Sequence, residues 1–311
     1  MTMLLQANEL ARTYTVGSGG KLRAVDDVSL ALARGEALAL VGESGCGKST
    51  LGRLLMGFDR PDRGQVIFEG QDLATLSTKA MRVLRGRLQM VFQDSGSAFN
   101  PRWTIGQALA EPFRIHKRPW SRQSLTALLE RVGLSPAFYD RYPAALSGGQ
   151  RQRLNIARAI ALAPQLIVAD EPVSALDVSV QAQIINLLRD LQADLDLACL
   201  FISHDLAVVR QIADRMAVMY LGGIVEEGET LSVLAVPFHP YTRALVDAVP
   251  QPGKPLGAPL QGDVPSPLSP PPGCRFHTRC PIAQPRCAAE RPALIHVGDG
   301  RKVACHYPLA S

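Results

Sequence analysis

Along the first 237 residues, short apolar runs alternate with longer stretches of mixed polarity. Five of the runs read as strands: ALALV (37–41), QVIF (65–68), LQMVF (88–92), LIVAD (166–170) and ACLFIS (198–203). Unbroken apolar runs of this length fit strands buried on both faces. Stretches such as QRQRLNIARAIALA (150–163) instead space their apolar residues three and four apart, as one helix face requires. Strands alternating with helices predict an α/β domain. The pattern then breaks. Nine prolines fall between Pro250 and Pro272, which forbids a helix or central strand and predicts a stiff, extended linker. A short tail carrying cysteines follows. No internal repeat and no heptad array is present.

Composition narrows this picture only slightly. With 47% hydrophobic and 20% charged residues, the 311-residue chain is of ordinary globular type. No apolar run approaches the roughly 20 residues of a membrane span. The start, MTMLLQANELARTY, lacks the basic start, apolar core and cleavage site of a secretory signal. The expectation is a soluble intracellular protein whose membrane contact is peripheral. The net charge of +5 is uneven, because Phe238 to the end holds 8 Lys/Arg and 4 Asp/Glu. A solvated tail surface is the simpler reading and an anionic neighbour the alternative; a dense nucleic-acid face would be more basic.

The chemistry lies in the punctuation between strands. GESGCGKST (Gly42–Thr50) fits G-x-x-x-x-G-K-[ST], between an apolar run and a helical pattern. Amides from Ser44, Gly45 and Cys46 through Gly47, Lys48 and Ser49 can wrap a β-phosphate, with Thr50 completing the stretch. Lys48 would reach the β- and γ-phosphates, and the Ser49 hydroxyl would ligate Mg²⁺. LIVADEP ends a buried strand in Asp170, suited to hold Mg²⁺, and Glu171, which points the other way and can polarise a water. Gln93 in VFQDS ends another strand, where its amide can touch metal and water. SALDVS carries Asp177, and His204 ends the last strand, either as a γ-phosphate contact or as an ordinary strand-end histidine. A second small-residue turn, ALSGGQRQR, precedes a helix and offers a second anion site.

In this order and spacing the P-loop, Gln93, LSGGQ, LIVADEP, SALD and His204 resemble the nucleotide-binding subunit of an ABC transporter over residues 1 to about 237. The resemblance implies a P-loop ABC-type ATPase domain, a RecA-like core with antiparallel β and helical subdomains, the helical one at about 88–163. It implies that Glu171, His204 and Gln93 serve catalysis, and that Ser49, Gln93 and Asp170 serve Mg²⁺. It also implies head-to-tail dimers in which Ser147, Gly148, Gly149, Gln150 and Asp177 meet the partner's ATP, and an adenine stacked on Tyr14. HPYTRAL (239–245), the linker, NPR (100–102) and GCRFHTRCP…C…VACHYP resemble the C-terminal extension of oligopeptide and dipeptide importers. The loop after Gln93 departs from that pattern, with Ser95 where relatives usually have proline.

The resemblance implies peptide import, two transmembrane permease subunits, an extracytoplasmic substrate-binding protein met only indirectly, and a position at the cytoplasmic membrane face. It favours a second, homologous ATPase subunit over a homodimer. A soluble ABC-type ATPase acting on DNA or ribosomes is the competing class, but one domain without heptads or a long insertion argues against it, and no nucleic-acid partner is expected. Cys274, Cys280, Cys287 and Cys305 stand apart from Cys46 and Cys199. Disulfides are disfavoured inside cells, and structural zinc usually uses a closely spaced Cys-x-x-Cys pair, which is missing here. The resemblance favours a 4Fe–4S cluster on the four cysteines over zinc, with His277 and His306 as substitutes.

Overall fold

The computed structural model describes residues 3–17, 19–94, 96, 98–250, 262–298 and 300–309. Of the proline-rich stretch, 251–261 lie outside the described residues, as do Ser95 and Ser97. In chain order the elements begin with β1 (Met3–Val16), β2 (Gly20–Ala33), β3 (Ala37–Val41), α1 (Lys48–Leu55), β4 (Arg63–Phe68), β5 (Gln71–Asp72), α2 (Thr78–Leu84) and β6 (Leu88–Val91). A helical stretch follows: α3 (Ile105–Ile115), α4 (Arg122–Arg131) and α5 (Gly148–Ile160). Then come β7 (Leu166–Asp170), α6 (Val178–Leu195), β8 (Ala198–Ser203), α7 (Leu206–Ile212), β9 (Arg215–Tyr220) and β10 (Gly223–Glu229). The chain ends with α8 (Thr230–Ala235), α9 (Pro240–Asp247), α10 (Pro285–Ala289), β11 (Ile295–Gly298) and β12 (Arg301–Val303).

These elements gather into two compact units. One holds 33–36 and 75–201; the other holds 3–32, 37–74 and 202 onward. In the first unit β6 lies beside and parallel to β7, with β8 on β7's other edge. Four of its helices open on side-chain caps written locally: Ser77 for α2, Thr104 with Gln107 for α3, Ser121 with Ser124 for α4, and Ser147 with Gln150 for α5. Each side-chain oxygen takes an N–H that the helix start leaves orphaned.

The second unit contains an antiparallel sheet in the order β2-β1-β4-β5 and a second sheet edge in the order β11-β12-β10-β9-β3. β3 runs parallel to β9, and every later pairing is antiparallel. The C-terminal segment is therefore no separate appendage within this unit. Its β12 extends the sheet on β10, and its Phe276 and Tyr241 sit in one apolar core with Val41, Met216, Val218 and Tyr220.

The tail's positive charge is not left to solvent either. Arg275 and Arg291 pair with Asp26, Arg279 with Glu43, Arg301 with Glu226 and Lys302 with Glu227. The anionic neighbour of the tail is thus the same chain, which corrects the solvated-surface reading. The reason is physical: an Arg-rich segment too short for its own core binds by directional ion pairs, with the side chains of Arg275, Arg279 and Arg301 largely buried. Among the described residues no helix is long and apolar enough to cross a membrane.

Candidate functional site

β3 is buried at all five positions and delivers the chain to Gly42. The loop then turns into α1, whose N-cap, Gly47, has φ 109° and offers no side chain to the first N–H groups. Those donors are left for an anion. A Cβ at Gly47 would sit 2.0 Å from the Ala24 carbonyl oxygen, so only glycine fits. At Gly45 a Cβ would meet nothing within 4 Å, and Ser44, Gly45 and Ser49 are exposed on this open side. Lys48 is buried, its Nζ donating to the carbonyls of Gly42 (2.7 Å) and Glu43 (3.0 Å). Cys46 is buried beneath the loop, and burial pushes its thiol pKa up despite Lys48. Thr50 is the third residue of α1.

Tyr14 is half-buried on β1. Its hydroxyl donates to Asp59 (3.1 Å), and the Arg12 guanidinium lies 4.8 Å from its ring centroid. Arg53 on α1 donates to the same carboxylate at 2.8 Å and holds Asp59 below the usual carboxylate range. His204 directly follows β8 and is exposed; the next residue, Asp205, caps α7.

In the other unit, β7 is buried to its last residue, Asp170. Glu171 follows with φ 44°, a left-handed conformation that is uncommon for a residue with a side chain. Gln93, two residues past β6, donates its Nε2 to Glu171 Oε2 at 3.0 Å and stands 3.4 Å from Ser174 Oγ. The amide and the candidate base, 78 residues apart, are thereby brought together.

The ALSGGQ turn is fixed by its own residues. Ser147 Oγ accepts from the Gln150 N–H (3.3 Å), and Gln150 Oε1 accepts from the Ser147 N–H (3.0 Å). A Cβ on Gly149 would lie 2.5 Å from Val180 Cγ1, so a side chain here would have to displace Val180 where α5 packs on α6. Gly148 has more room, 3.5 Å from Leu176. Asp177 is the exposed N-cap of α6 and makes no side-chain cap bond.

The four C-terminal cysteines share one small cavity of about 10 Å³, which His277 and His306 also line. The Cys274 N–H donates to the Cys287 carbonyl at 2.7 Å, closing the turn between them. Burial pushes up the thiols of Cys274 and Cys280, and that of Cys305 to about 11. His277 Nδ1 is 2.8 Å from the Cys274 carbonyl and His306 Nε2 2.8 Å from that of Glu290, so each imidazole already has a backbone partner. Among the described residues no three His, Cys, Asp or Glu are placed to hold a metal ion.

Sequence reading missed what fastens the tail. Glu226 and Glu227 are buried on adjacent positions of β10. Glu226 accepts from the N–H groups of Phe238 and His239 (both 2.9 Å) and from Arg301, whose guanidinium lies 3.7 Å from the Phe238 ring centroid. The sequence carries no clear signal for this, because the acids of GIVEEGE read as surface residues until their cations are found.

The family model described as ABC transporter matches residues 25–174, and the one described as oligopeptide/dipeptide transporter, C-terminal region, matches 225–287. A probable peptide ABC transporter ATP-binding protein of Sinorhizobium fredii is 53% identical, covering 97% of this chain and 89% of its own. An oligopeptide transport ATP-binding protein of Bacillus subtilis is 47% identical, covering 97% of each. Among solved structures, an ATP-binding cassette captured as a dimer after hydrolysis, with ADP and Pi, has a TM-score of 0.66 at 28% identity. That match covers 73% of this chain and 98% of the other.

Proposed function

The chain belongs to the ATP-binding subunits of peptide-type ABC transporters, and from that premise we propose that it hydrolyses ATP to drive peptide import through membrane-embedded permease subunits. The observation that carries the hydrolytic reading is Gln93 Nε2 on the Glu171 carboxylate at 3.0 Å, beside a strand that ends in buried Asp170. The Glu171 carboxylate is thereby oriented, as a general base that takes a proton from an attacking water must be.

The open side of the Gly42–Thr50 loop and the uncapped start of α1 suit a triphosphate, with Ser44, Gly45, Cys46, Gly47 and Ser49 presenting amides. Lys48 would exchange its two loop carbonyls for phosphate oxygens. Ser49, Gln93 and Asp170 are assigned to Mg²⁺, which neutralises developing charge during phosphoryl transfer. Tyr14 is assigned to adenine and His204 to the γ-phosphate. Ser147, Gly148, Gly149, Gln150 and Asp177 are assigned to the ATP of a partner ATPase in a head-to-tail dimer. Ser147 Oγ accepts the cap bond with one lone pair, and its hydroxyl hydrogen can still donate. Residues 1–237 are taken as the ATPase domain, with its helical part at 88–163, and 238–311 as the importer-type extension.

The four cysteines are assigned to a 4Fe–4S cluster. What supports the assignment is that all four thiols line one cavity; against it stand the cavity's size, about 10 Å³, and the absence among the described residues of any three groups placed to hold a metal ion. The cluster would supply cross-linking of a short segment. Protein purified without oxygen should be brown with about four irons per chain; a colourless chain with one zinc would replace the cluster by zinc.

The assembly we infer contains a second, homologous ATPase, two permease subunits and, indirectly, an extracytoplasmic binding protein, at the cytoplasmic face of the membrane. Purification in detergent should bring down two polytopic membrane proteins, and vesicles carrying the complex should take up peptide only with ATP. Nucleic acid in their place would overturn the transport reading, and two copies of this chain with no other ATPase would overturn the heterodimer. Ser147→Arg should silence the partner's ATP while this chain's own loop still binds nucleotide.

A further inference from the structure

Glu43, the second residue of the P-loop, is held at three points. Its carboxylate takes two hydrogen bonds from Arg279, Nη1 at 2.8 Å and Nη2 at 3.1 Å. Its N–H donates to the Tyr241 hydroxyl at 2.9 Å, and its carbonyl accepts Lys48 Nζ at 3.0 Å. Two of the three holds come from the C-terminal segment, 198 and 236 residues further along the chain. Both are themselves fixed. Tyr241 is fully buried, with its ring centroid 4.6 Å from that of Tyr220 and 5.4 Å from that of Phe276. The Arg279 side chain is 6% exposed and that of Glu43 26%, so the fork is shielded on its guanidinium side and open to water on part of the carboxylate. Arg279 also immediately precedes Cys280, and Tyr241 follows His239 and Pro240, which line the four-cysteine cavity.

We propose that Arg279 and Tyr241 are positioning residues of the nucleotide site, through which the C-terminal segment sets ATP affinity. The proposal rests on the reading of Gly42–Thr50 as the ATP loop. A loop that cradles phosphate must aim successive amides at one point. Fixing peptide 43 from behind pre-orders that arc, and pre-ordering lowers the entropy lost on binding. The effect falls on binding rather than on the chemical step, because neither residue touches the reacting atoms.

Nucleotide titration and ATPase kinetics of the full-length chain test it. Arg279→Gln and Glu43→Gln should each weaken ATP binding roughly tenfold, with kcat at saturating ATP within about twofold of wild type. The double variant should be no worse than either single one, since both remove one interaction. Arg279→Lys should recover part of the loss, and Tyr241→Phe should show a smaller loss of the same kind. Arg286→Gln removes an exposed tail cation that pairs with Glu290 and should leave ATP affinity unchanged. If Arg279→Gln does not fold, the near-isosteric Glu43→Gln and Tyr241→Phe decide. Folded variants with wild-type ATP affinity, or additive losses in the double variant, overturn the proposal. Wild-type affinity in Lys48→Ala would instead sink the ATP-loop reading itself.

Discussion

The turn that opens α1 and the turn that opens α5 both present a helix N-terminus behind small residues, and they are held in opposite ways. The α5 turn holds itself: Ser147 and Gln150, three residues apart, exchange two hydrogen bonds. The α1 turn has its own Lys48 on the Gly42 and Glu43 carbonyls, but it is also held by strangers, with Tyr241 and Arg279 gripping Glu43 from the far end of the chain. A self-capped turn needs only its own sequence. A turn held from a distance works only when the rest of its unit is assembled, and its properties can then be set from elsewhere. The same contrast runs through the two units, one with three capping boxes and the other with a tail docked by five cation–carboxylate partnerships.

The largest expected effect separates chemistry from binding. Glu171→Gln keeps the shape of the carboxylate and its Gln93 neighbour but cannot take a proton. Turnover should fall by about three orders of magnitude, the scale of a lost general base, with ATP still bound. Lys48→Ala should do the reverse and weaken binding itself, by removing a charge from the phosphates. Calorimetry alongside steady-state rates distinguishes the two. A Glu171→Gln chain that turns over ATP near the wild-type rate would show that the base is elsewhere.

Next is the anchor of the tail. Glu226→Ala leaves Arg301 buried without its carboxylate and two N–H groups, those of Phe238 and His239, without their acceptor. Breaking a buried pair from one side costs about 3–5 kcal/mol. Chemical denaturation should show a loss of that size in the transition that includes the tail. An unchanged midpoint would mean that the tail is not part of the unit's cooperative structure.

What the sequence made legible was the local half of this contrast. All five strands expected from apolar runs are present, and each glycine turn opens the helix expected of it. β1 and β2 escaped because their polar and apolar positions alternate irregularly, with half-exposed residues between buried ones. β10 escaped because it buries Glu226 and Glu227, which look like surface residues until Arg301, Lys302 and Arg215 are found beside them. The β11–β12 hairpin escaped although its sequence, VGDGRKV, carries a usable turn signal. Of the candidate site, the residues in each loop were readable because loop chemistry is written within a few positions. The Arg279–Glu43 pair was not, because each charge alone is indistinguishable from a solvated one.

A smaller effect tests the self-held turn. Ser147→Ala removes one acceptor for the Gln150 N–H, at a helix start that keeps water as its alternative partner. Loss of such a cap costs about 1 kcal/mol. The same denaturation experiment should therefore rank Ser147→Ala well below Glu226→Ala. Equal losses would erase the distinction between a locally held turn and a remotely held one.

The smallest effect concerns Cys46, which lies in the loop assigned to ATP and on sequence grounds invites labelling by thiol reagents with protection by ATP. The structure argues against both. The side chain points beneath the loop, with the residue 5% exposed, and burial raises its thiol pKa although Lys48 Nζ stands 4.0 Å from the sulfur. The nucleophile is the thiolate, so a raised pKa leaves little of it at neutral pH, and reaction should speed up only as pH climbs past the normal thiol range. At pH 7 the label should reach Cys46 slowly, and ATP should change that rate little, because what shields the sulfur is the packing behind the loop rather than the phosphates in front. Arg279→Gln loosens that packing and should raise the Cys46 rate. Fast labelling of the wild-type chain, abolished by ATP, would place the sulfur on the phosphate side and show that the loop is not held from behind.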